Sequence, residues 1–277
     1  MAHKRQETAK HNCCFEKIAV SRVIIQPEQG NVDEMSIRLF VKGPLSSGAT
    51  AELERDHSHY ISNVMRKKAG DEVVLFNGRD GEWKATIVAV EKRSVRLEVG
   101  QQSRMQETEP DLWLAFAPIK KARLDFIAQK ATELGVSNLT PVMTRRTIVD
   151  RVKTDRMLAN AIEAAEQCER LTVPTINEAT KLDAFLASLT PDRKLMFCDE
   201  DKTGQETHAA LRATGDKAAP GPWAILIGPE GGFDDDEREK IRAHPTCVPV
   251  SLGPRVLRAD TAAMAAISLW QSAIGDW

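Results

Sequence analysis

The sequence has no long apolar run and no paired cysteine motif, and these absences exclude several classes of protein. No run of about 18 apolar residues occurs in the 277-residue chain, so we expect no membrane-spanning helix. The five cysteines include no Cys-x-x-Cys pair and no histidine at metal-ligand spacing, which predicts reduced thiols in a cytoplasmic protein. The hydrophobic fraction of 42% is near the globular average and argues against wholesale disorder.

Common catalytic and targeting motifs are missing as well. Without a Gly-x-Ser-x-Gly elbow, serine-hydrolase chemistry has no support. His57 and His59 lack the other residues of a zinc site and are interpreted as surface or packing side chains. The acidic triplet 199–201 could attract Mg²⁺, but a hydrated loop is the favoured interpretation. Residues 1–35 begin without the apolar core of a secretory signal and are expected to form an extension of uncertain order.

Between Ile37 and about Gly100 the sequence has the pattern of short β-strands. DEVVLF (71–76) and EWKATIVAV (82–90) flank the turn-forming residues 77–81, which predicts a hairpin. SVRLEV (94–99) alternates apolar and polar residues, as a half-buried strand does. These features predict a small β-barrel or sandwich, followed by a polar, turn-rich linker over Gln101–Pro110.

After the linker, apolar strands alternate with helical patterns. The apolar runs lie at 112–118, 139–143, 194–197, 223–228 and 247–253. Helical stripes cover 121–135, 154–169 and 260–274. The second stripe predicts a buried face made of Leu158, Ala161, Ile162, Ala165 and Cys168. Continuous apolar strands between helices predict an α/β domain with a mostly parallel sheet covered on both faces.

The loop IGPEGGF (227–233) follows one of these strands and is rich in glycine. It lacks the lysine of a P-loop and the spacing of a dinucleotide fingerprint. Its glycines would let the backbone approach a flat ligand closely. Asp234 is predicted to cap the next helix in a capping box with Glu237. The acidic turn 234–239 disfavours a phosphate and favours a cofactor with a positive centre, an ordinary strand-to-helix turn being the alternative.

A second loop, 251–261, leads directly into the last predicted helix. Asp260 or Thr261 is expected to cap that helix. Arg255 and Arg258 could bind a phosphate or a polarised carbonyl through paired N–H donors. The alternative is that both arginines pair with the acidic turn 234–239.

The net charge of −2 conceals local basic segments. Nine cations and four anions lie between Ile119 and Arg156, and Arg66, Lys67 and Lys68 form a second cluster. Such patches can neutralise phosphates, although a charge run is often only a solvated face. The overall balance excludes a uniformly cationic, indiscriminate nucleic-acid binder and is compatible with a structured RNA target.

Several motifs in the same order give the sequence a specific resemblance. IGPEGGF followed by SLGPRVLRADTAA strongly resembles the signature of the RsmE family, the 16S rRNA uridine-N3 methyltransferases of the SPOUT class. Further matching segments are RLFVKGPL (38–45), HYISNVMRKKAGDEVVLFNG (59–78), DFIAQKATELGV (125–136) and EAAEQCERLTVP (163–174). The resemblance covers about 37–275. Asn63 departs from a common family arginine, and Asp260 from a common glutamate.

The resemblance implies a fold, a cofactor and a partner. The implied fold is a PUA-like β-barrel RNA-binding domain over 36–106 and a SPOUT-type α/β methyltransferase domain with a trefoil knot over 107–277. S-adenosyl-L-methionine (SAM) would bind in the knotted loops of a homodimer, with no membrane involved. The implied target is N3 of uridine 1498 in 16S rRNA of the assembled 30S subunit. A ribose 2′-O SPOUT methyltransferase and a non-catalytic RNA-binding ribosome-assembly protein are the alternatives.

The resemblance also implies roles for individual residues, and no metal among them. Arg258 would stabilise the uracil carbonyl oxygens, and Glu230 or Asp260 would take the N3 proton. The expected cofactor-binding residues are Ile227, Gly228, Glu230, Gly231, Gly232, Leu252, Gly253, Val256 and Leu257. The expected RNA phosphate contacts are Arg66, Lys120, Arg145 and Arg146.

Overall fold

The chain forms two β-sheets in a computed structural model. The described residues are 37–91, 94–199, 201 and 204–277, so the predicted extension 1–35 lies outside them. The first sheet contains β1 (Arg38–Phe40), β2 (Thr50–Glu52), β3 (Glu72–Phe76), β4 (Glu82–Val90) and β5 (Val95–Arg104). Its strand order is β1-β3-β4-β5-β2; β1 and β3 are parallel and the other neighbours antiparallel.

The predicted hairpin is confirmed, whereas the predicted linker is wrong at its start. The Asn77 side-chain oxygen accepts the backbone N–H groups of Arg79 and Asp80, which fixes the turn between β3 and β4. β5 continues to Arg104 because its backbone stays paired with β4, where Arg104 lies opposite Glu82. Main-chain hydrogen bonds therefore hold these residues in the strand, although their side chains are polar and mostly exposed.

Two short helices connect β2 to β3 and carry an exposed ridge. They are α1 (Arg55–His59) and a π-helix (Tyr60–Val64). Ile61 is fully buried and anchors the π-helix on the first sheet. Tyr60, Val64 and Met65 are exposed beside the basic cluster, and we name residues 60–68 the basic ridge.

The second sheet is parallel in every pairing that the structure describes. Its strands are β6 (Leu112–Phe116), β7 (Asn138–Met143), β8 (Thr175–Ile176), β9 (Thr180–Lys181), β10 (Lys194–Cys198), β11 (Gln205–Glu206), β12 (Trp223–Ile227) and β13 (Cys247–Ser251). The strand order is β11-β13-β10-β12-β6-β7-β8, and β9 also pairs with β7. The predicted parallel sheet is thus confirmed.

Helices cover both faces of the second sheet. They are α2 (Lys121–Glu133), α3 (Thr154–Gln167), α4 (Leu182–Ser188), α5 (Thr207–Thr214), α6 (Asp235–Ala243) and α7 (Ala259–Ile274). The central strand β12 is buried along its whole length. Ile225 packs in the core that includes α2 and α7, whereas Leu226 packs in the core that includes α4 and α6. This two-sided burial explains why β12 is a continuous apolar run.

The helical stripes were predicted correctly for α2 and α7 but only in part for α3. Gly135, at φ +83°, follows α2 in the left-handed conformation expected of a residue just past a helix end. In α3, Leu158 and Cys168 are exposed, so the predicted buried face is wrong at these two positions. The helix instead buries Met157 and three alanines, whose small side chains allow α2 to pack closely against it.

Arg38 joins the first sheet to the end of α3. Its nearly buried guanidinium donates to Glu82 at 2.9 Å, to the carbonyl of Ala165 at 3.0 Å and to that of Arg170 at 3.1 Å. It also lies over the Phe76 ring, 4.6 Å from the centroid. Every branch of this guanidinium therefore has a partner, as a nearly buried charge requires.

Candidate functional site

A cavity of about 340 Å³ lies beyond the carboxyl ends of β10, β12 and β13. These three parallel strands are neighbours in the sheet. The cavity is lined by residues from 198–199, from the glycine-rich loop 227–232, from 251–258 and from the start of α7. Loops at this edge of an open parallel sheet form the usual ligand site of such folds.

The glycine-rich loop after β12 requires glycine for two physical reasons. A Cβ on Gly228 would lie 2.6 Å from the buried ring of Phe233, so the ring packs where a side chain would be. Gly232 has a φ of +69°, which other residues rarely adopt. The predicted capping box follows directly, since the Asp234 carboxylate accepts the Glu237 N–H at 2.8 Å and the Glu237 carboxylate is hydrogen-bonded to the Asp234 N–H.

The structure brings together most of the predicted cofactor residues. Those that line the cavity are Ile227, Gly228, Glu230, Gly232, Leu252, Gly253, Val256 and Leu257. Gly231 does not line it, and its carbonyl instead accepts a hydrogen bond from Arg146 at 2.9 Å. The lining combines backbone and apolar groups with the carboxylates of Asp199 and Glu230 and the guanidinium groups of Arg255 and Arg258, so an apolar surface lies beside charges of both signs.

Two lining residues at the end of β10, Cys198 and Asp199, were not predicted as site residues from the sequence. Asp199 is buried and accepts from Arg238 at 3.1 Å and from Arg242 at 2.8 Å. The hydrated-loop interpretation is therefore wrong for Asp199. Burial raises the pKa of the Cys198 thiol, which keeps this one side chain in its neutral form. Their place at the carboxyl end of a predicted parallel strand was the available signal.

Arg258 lines the cavity and is the N-cap residue of α7. The predicted caps are wrong, because no side chain caps this helix and Asp260 only accepts the N–H of Thr261 in the first turn. Within the described residues, neither Arg255 nor Arg258 forms a salt bridge. The alternative in which they pair with the acidic turn 234–239 is therefore wrong for the described part of the chain.

Arg145 binds the carboxylates of the acidic turn 234–239 instead. Its guanidinium lies 2.6 Å from the Asp234 carboxylate and 2.7 Å from that of Asp236, and both hydrogen bonds raise the pKa of Arg145. The pKa of Asp234 is lowered, chiefly by the hydrogen bond from the Glu237 backbone N–H. With Arg146 bonded to Gly231, the loop that follows β7 holds the glycine-rich loop in place.

The other predicted RNA contacts lie outside the cavity lining. Lys120 is exposed at the N-cap of α2. Arg66 is exposed in the basic ridge and has a φ of +55°, a left-handed conformation that costs energy for a residue other than glycine.

The two predicted proton acceptors, Glu230 and Asp260, both contact Arg123, which was not predicted as a site residue. A guanidinium nitrogen of Arg123, in the first turn of α2, lies 3.5 Å from Glu230 and 3.7 Å from Asp260. Glu230 lines the cavity, and Asp260 is in the first turn of α7, next to the lining residue Ala259. No local sequence pattern connects Arg123 with carboxylates so distant along the chain.

Two features are absent from the described residues. No group of three or more His, Cys, Asp or Glu side chains there could hold a metal ion. None of the described helices combines the length and the apolar character that crossing a membrane requires.

Two family models match the chain in the order of its two sheets. A model described as an RNA methyltransferase PUA domain matches residues 53–100. A model described as an RNA methyltransferase domain matches residues 106–271, which include the whole cavity lining.

Curated proteins and solved structures agree with these matches. The chain is 34% identical to the ribosomal RNA small subunit methyltransferase E of Rickettsia conorii, over 83% of this chain and 93% of that protein. It is 28% identical to the Bacillus subtilis protein of the same name, over 82% and 91%. A crystal structure of the Neisseria gonorrhoeae enzyme of that name, bound to S-adenosyl methionine, superposes with a TM-score of 0.76 at 28% identity, covering 87% of this chain and 99% of that chain. The chain therefore belongs to the RNA methyltransferase family that includes the ribosomal RNA small subunit methyltransferase E proteins.

Proposed function

We propose that the protein is a SAM-dependent methyltransferase that methylates N3 of one uridine in 16S rRNA, uridine 1498, in the assembled 30S subunit. The observation that carries this proposal is the cavity at the ends of β10, β12 and β13, which is built from the loops that resemble the family signature. The names of the curated relatives and the SAM bound by the Neisseria gonorrhoeae enzyme support the substrate class and the cofactor.

The cavity residues offer groups that suit each part of SAM. Leu252 and Leu257 offer apolar walls to an adenine ring, and the backbone of Ile227 and Gly228 offers hydrogen-bonding groups at close range. Glu230 contributes a partly exposed carboxylate to the lining, which suits a sulfonium. When bound, the cofactor supplies an electrophilic methyl group.

The acceptor nitrogen must lose its proton as it gains the methyl group. The nitrogen–carbon bond forms while the carbon–sulfur bond breaks, and sulfur keeps that electron pair. Arg258 would stabilise the negative charge that develops on the uracil carbonyl oxygens. Glu230 or Asp260 would accept the N3 proton, directly or through one water molecule, and pass it to solvent.

The larger architecture belongs to the same proposal. It comprises a PUA-like β-barrel over 36–106 and a SPOUT domain with a trefoil knot over 107–277, in a cytoplasmic homodimer. The order of the two family matches supports the order of the two domains. A target base must leave its stack to reach a cavity of this kind, so a separate RNA-holding domain has a clear purpose.

We assign the phosphate contacts to Arg66, Lys120, Arg145 and Arg146. Arg66 and Lys120 are exposed and form no salt bridge within the described residues, which leaves both charges available to RNA. Arg145 and Arg146 are already bonded to Asp234, Asp236 and Gly231, so phosphate would have to share these donors.

The test is methylation of 30S subunits from a strain that lacks this protein. Purified protein and labelled SAM are added, and the modified rRNA nucleoside is identified and located by mass spectrometry. We expect N3-methyluridine at a single position. A ribose 2′-O-methylated product would favour the alternative SPOUT activity. SAM binding without any product would contradict the activity, and absence of SAM binding would favour a non-catalytic assembly protein.

A further inference from the structure

We propose that Arg123 is a positioning residue for methyl transfer, which acts by holding Glu230 and Asp260 together at the cavity; this inference rests on the proposed function. One guanidinium nitrogen of Arg123 lies 3.5 Å from the Glu230 carboxylate and 3.7 Å from the Asp260 carboxylate. The three side chains come from three separate segments: the first turn of α2, the glycine-rich loop and the first turn of α7.

The contact with Arg123 reduces the repulsion between the Glu230 and Asp260 carboxylates. Two carboxylates near one cavity repel each other, and each could reduce that repulsion by turning towards water. Glu230 is free to do so, since its side chain is 47% exposed, whereas the side chain of Asp260 is only 18% exposed. A guanidinium between them allows both to remain beside the cavity with their charges balanced.

Arg123 does not line the cavity, so its effect must pass through the carboxylates. A proton acceptor works only within hydrogen-bond reach of the proton, and small displacements are costly. Loss of Arg123 would leave Glu230 without a salt-bridge partner among the described residues, so its rotamer would no longer be fixed. We therefore expect the turnover rate to fall much more than the affinity for SAM, because Glu230 is one of many residues that line the cavity.

The variants Arg123→Ala and Arg123→Lys test this inference. Arg156→Ala is the control, since Arg156 of α3 pairs with Asp125 of α2 and the change so removes an arginine that pairs with a carboxylate on the same helix as Arg123, away from the cavity lining. We measure kcat and KM on 30S subunits, SAM affinity by titration, and Tm. A displaced catalytic group costs roughly 10- to 100-fold in kcat, which we expect for Arg123→Ala. The KM, the SAM affinity and the kcat of the control should stay within about threefold of wild type.

Arg123→Lys keeps a positive charge at the contact and should recover most of the lost kcat. A double-mutant cycle adds a second readout, because Arg123→Ala should lower kcat far less in a Glu230→Gln or Asp260→Asn background than in wild type. An unchanged kcat for Arg123→Ala overturns the inference, as does a loss of SAM affinity that equals the loss of kcat. If wild-type protein forms no N3-methyluridine, the proposed function fails instead, so the two failures are distinguishable.

Discussion

At the scale of single residues, the cavity contains an arginine that can be removed without leaving a carboxylate unpaired. Arg258 is exposed at the cavity and forms no salt bridge within the described residues. Its replacement by alanine should therefore remove charge stabilisation and little else. We expect Arg258→Ala to lower methylation of 30S subunits by about 10²- to 10³-fold, the usual cost of losing one such donor. Single-turnover rates with saturating SAM measure this effect.

The control for Arg258→Ala is the binding of SAM, which should stay within about threefold of wild type because backbone and apolar groups dominate the lining. Arg258→Lys separates charge from geometry, since lysine keeps the charge but lacks the planar fork. Methylation by Arg258→Ala at the wild-type rate would show that this side chain has no part in the reaction.

At the scale of elements, the glycine-rich loop offers a pair of matched substitutions. A Cβ at position 228 would meet the Phe233 ring at 2.6 Å, whereas a Cβ at position 231 would meet Arg146 at an ordinary 3.5 Å. The buried ring cannot move away easily, so the loop must shift. Overpacking of this kind costs about 1–3 kcal/mol, and we expect Gly228→Ala to weaken SAM binding at least tenfold. Calorimetric titration of both variants measures the difference.

Gly231→Ala should bind SAM within about twofold of wild type, because that position has space and does not line the cavity. It shares the loop, the residue type and the size of the added group with Gly228→Ala. Equal losses of affinity in the two variants would mean that the loop tolerates no change at all, and would contradict the steric explanation based on Phe233.

The basic ridge is the element in which exposed apolar and charged groups coincide. Tyr60, Val64 and Met65 are exposed there, and Arg66 holds a strained left-handed φ of +55°. Each phosphate contact adds about one unit to the slope of log affinity against log salt. We expect Arg66→Ala to reduce that slope by about one unit for RNA containing the target. Filter binding at several salt concentrations gives the slope.

Lys130→Ala is the control for the ridge, because the Lys130 ammonium is already paired with Glu133 one helical turn away. This control removes the same charge from an exposed surface and should leave the salt slope unchanged. If Arg66→Ala also leaves it unchanged, the ridge is a solvated face and the RNA contact lies elsewhere.

The strands and the cavity residues could be predicted from the sequence to different degrees. β12 and its loop were predictable because a fully buried strand must be an apolar run and the following glycines mark a close approach. The last residues of β5 were not predictable. Backbone pairing with β4 holds them in the strand, although their polar side chains are typical of a linker. Arg123 was not predictable either, because its contacts depend on how α2 packs beside two distant loops.

At the scale of the whole molecule, partly buried polar contacts connect the first sheet to α3 and to the residues that follow it. Arg38 donates to the carbonyls of Ala165 and Arg170, and the Phe40 N–H donates to the Glu166 carboxylate at 2.9 Å. α3 in turn packs against α2, which carries Arg123. A continuous series of packed elements therefore runs from the first sheet to the carboxylates beside the cavity.

His57 adds a pH-sensitive contact to this junction. Its Nε2 lies 3.1 Å from the Glu166 carboxylate, and this hydrogen bond is the main reason that the pKa of His57 is raised. A raised pKa in the folded state means that the contact stabilises the fold fully below the unfolded value of about 6.5. That stabilisation is lost as the pH rises through the folded pKa. Burial acts in the opposite direction on His57 but is the smaller effect.

We therefore expect the free energy of unfolding of wild type to exceed that of His57→Gln by more at pH 6 than at pH 8. The change should be at most about 1 kcal/mol, because solvent screens a partly exposed pair. Denaturant titrations at several pH values measure it. His59→Gln is the control, since His59 is exposed two residues away and forms no ion pair within the described residues. A difference that stays constant or grows towards alkaline pH would mean that protonated His57 does not hold α1 to α3.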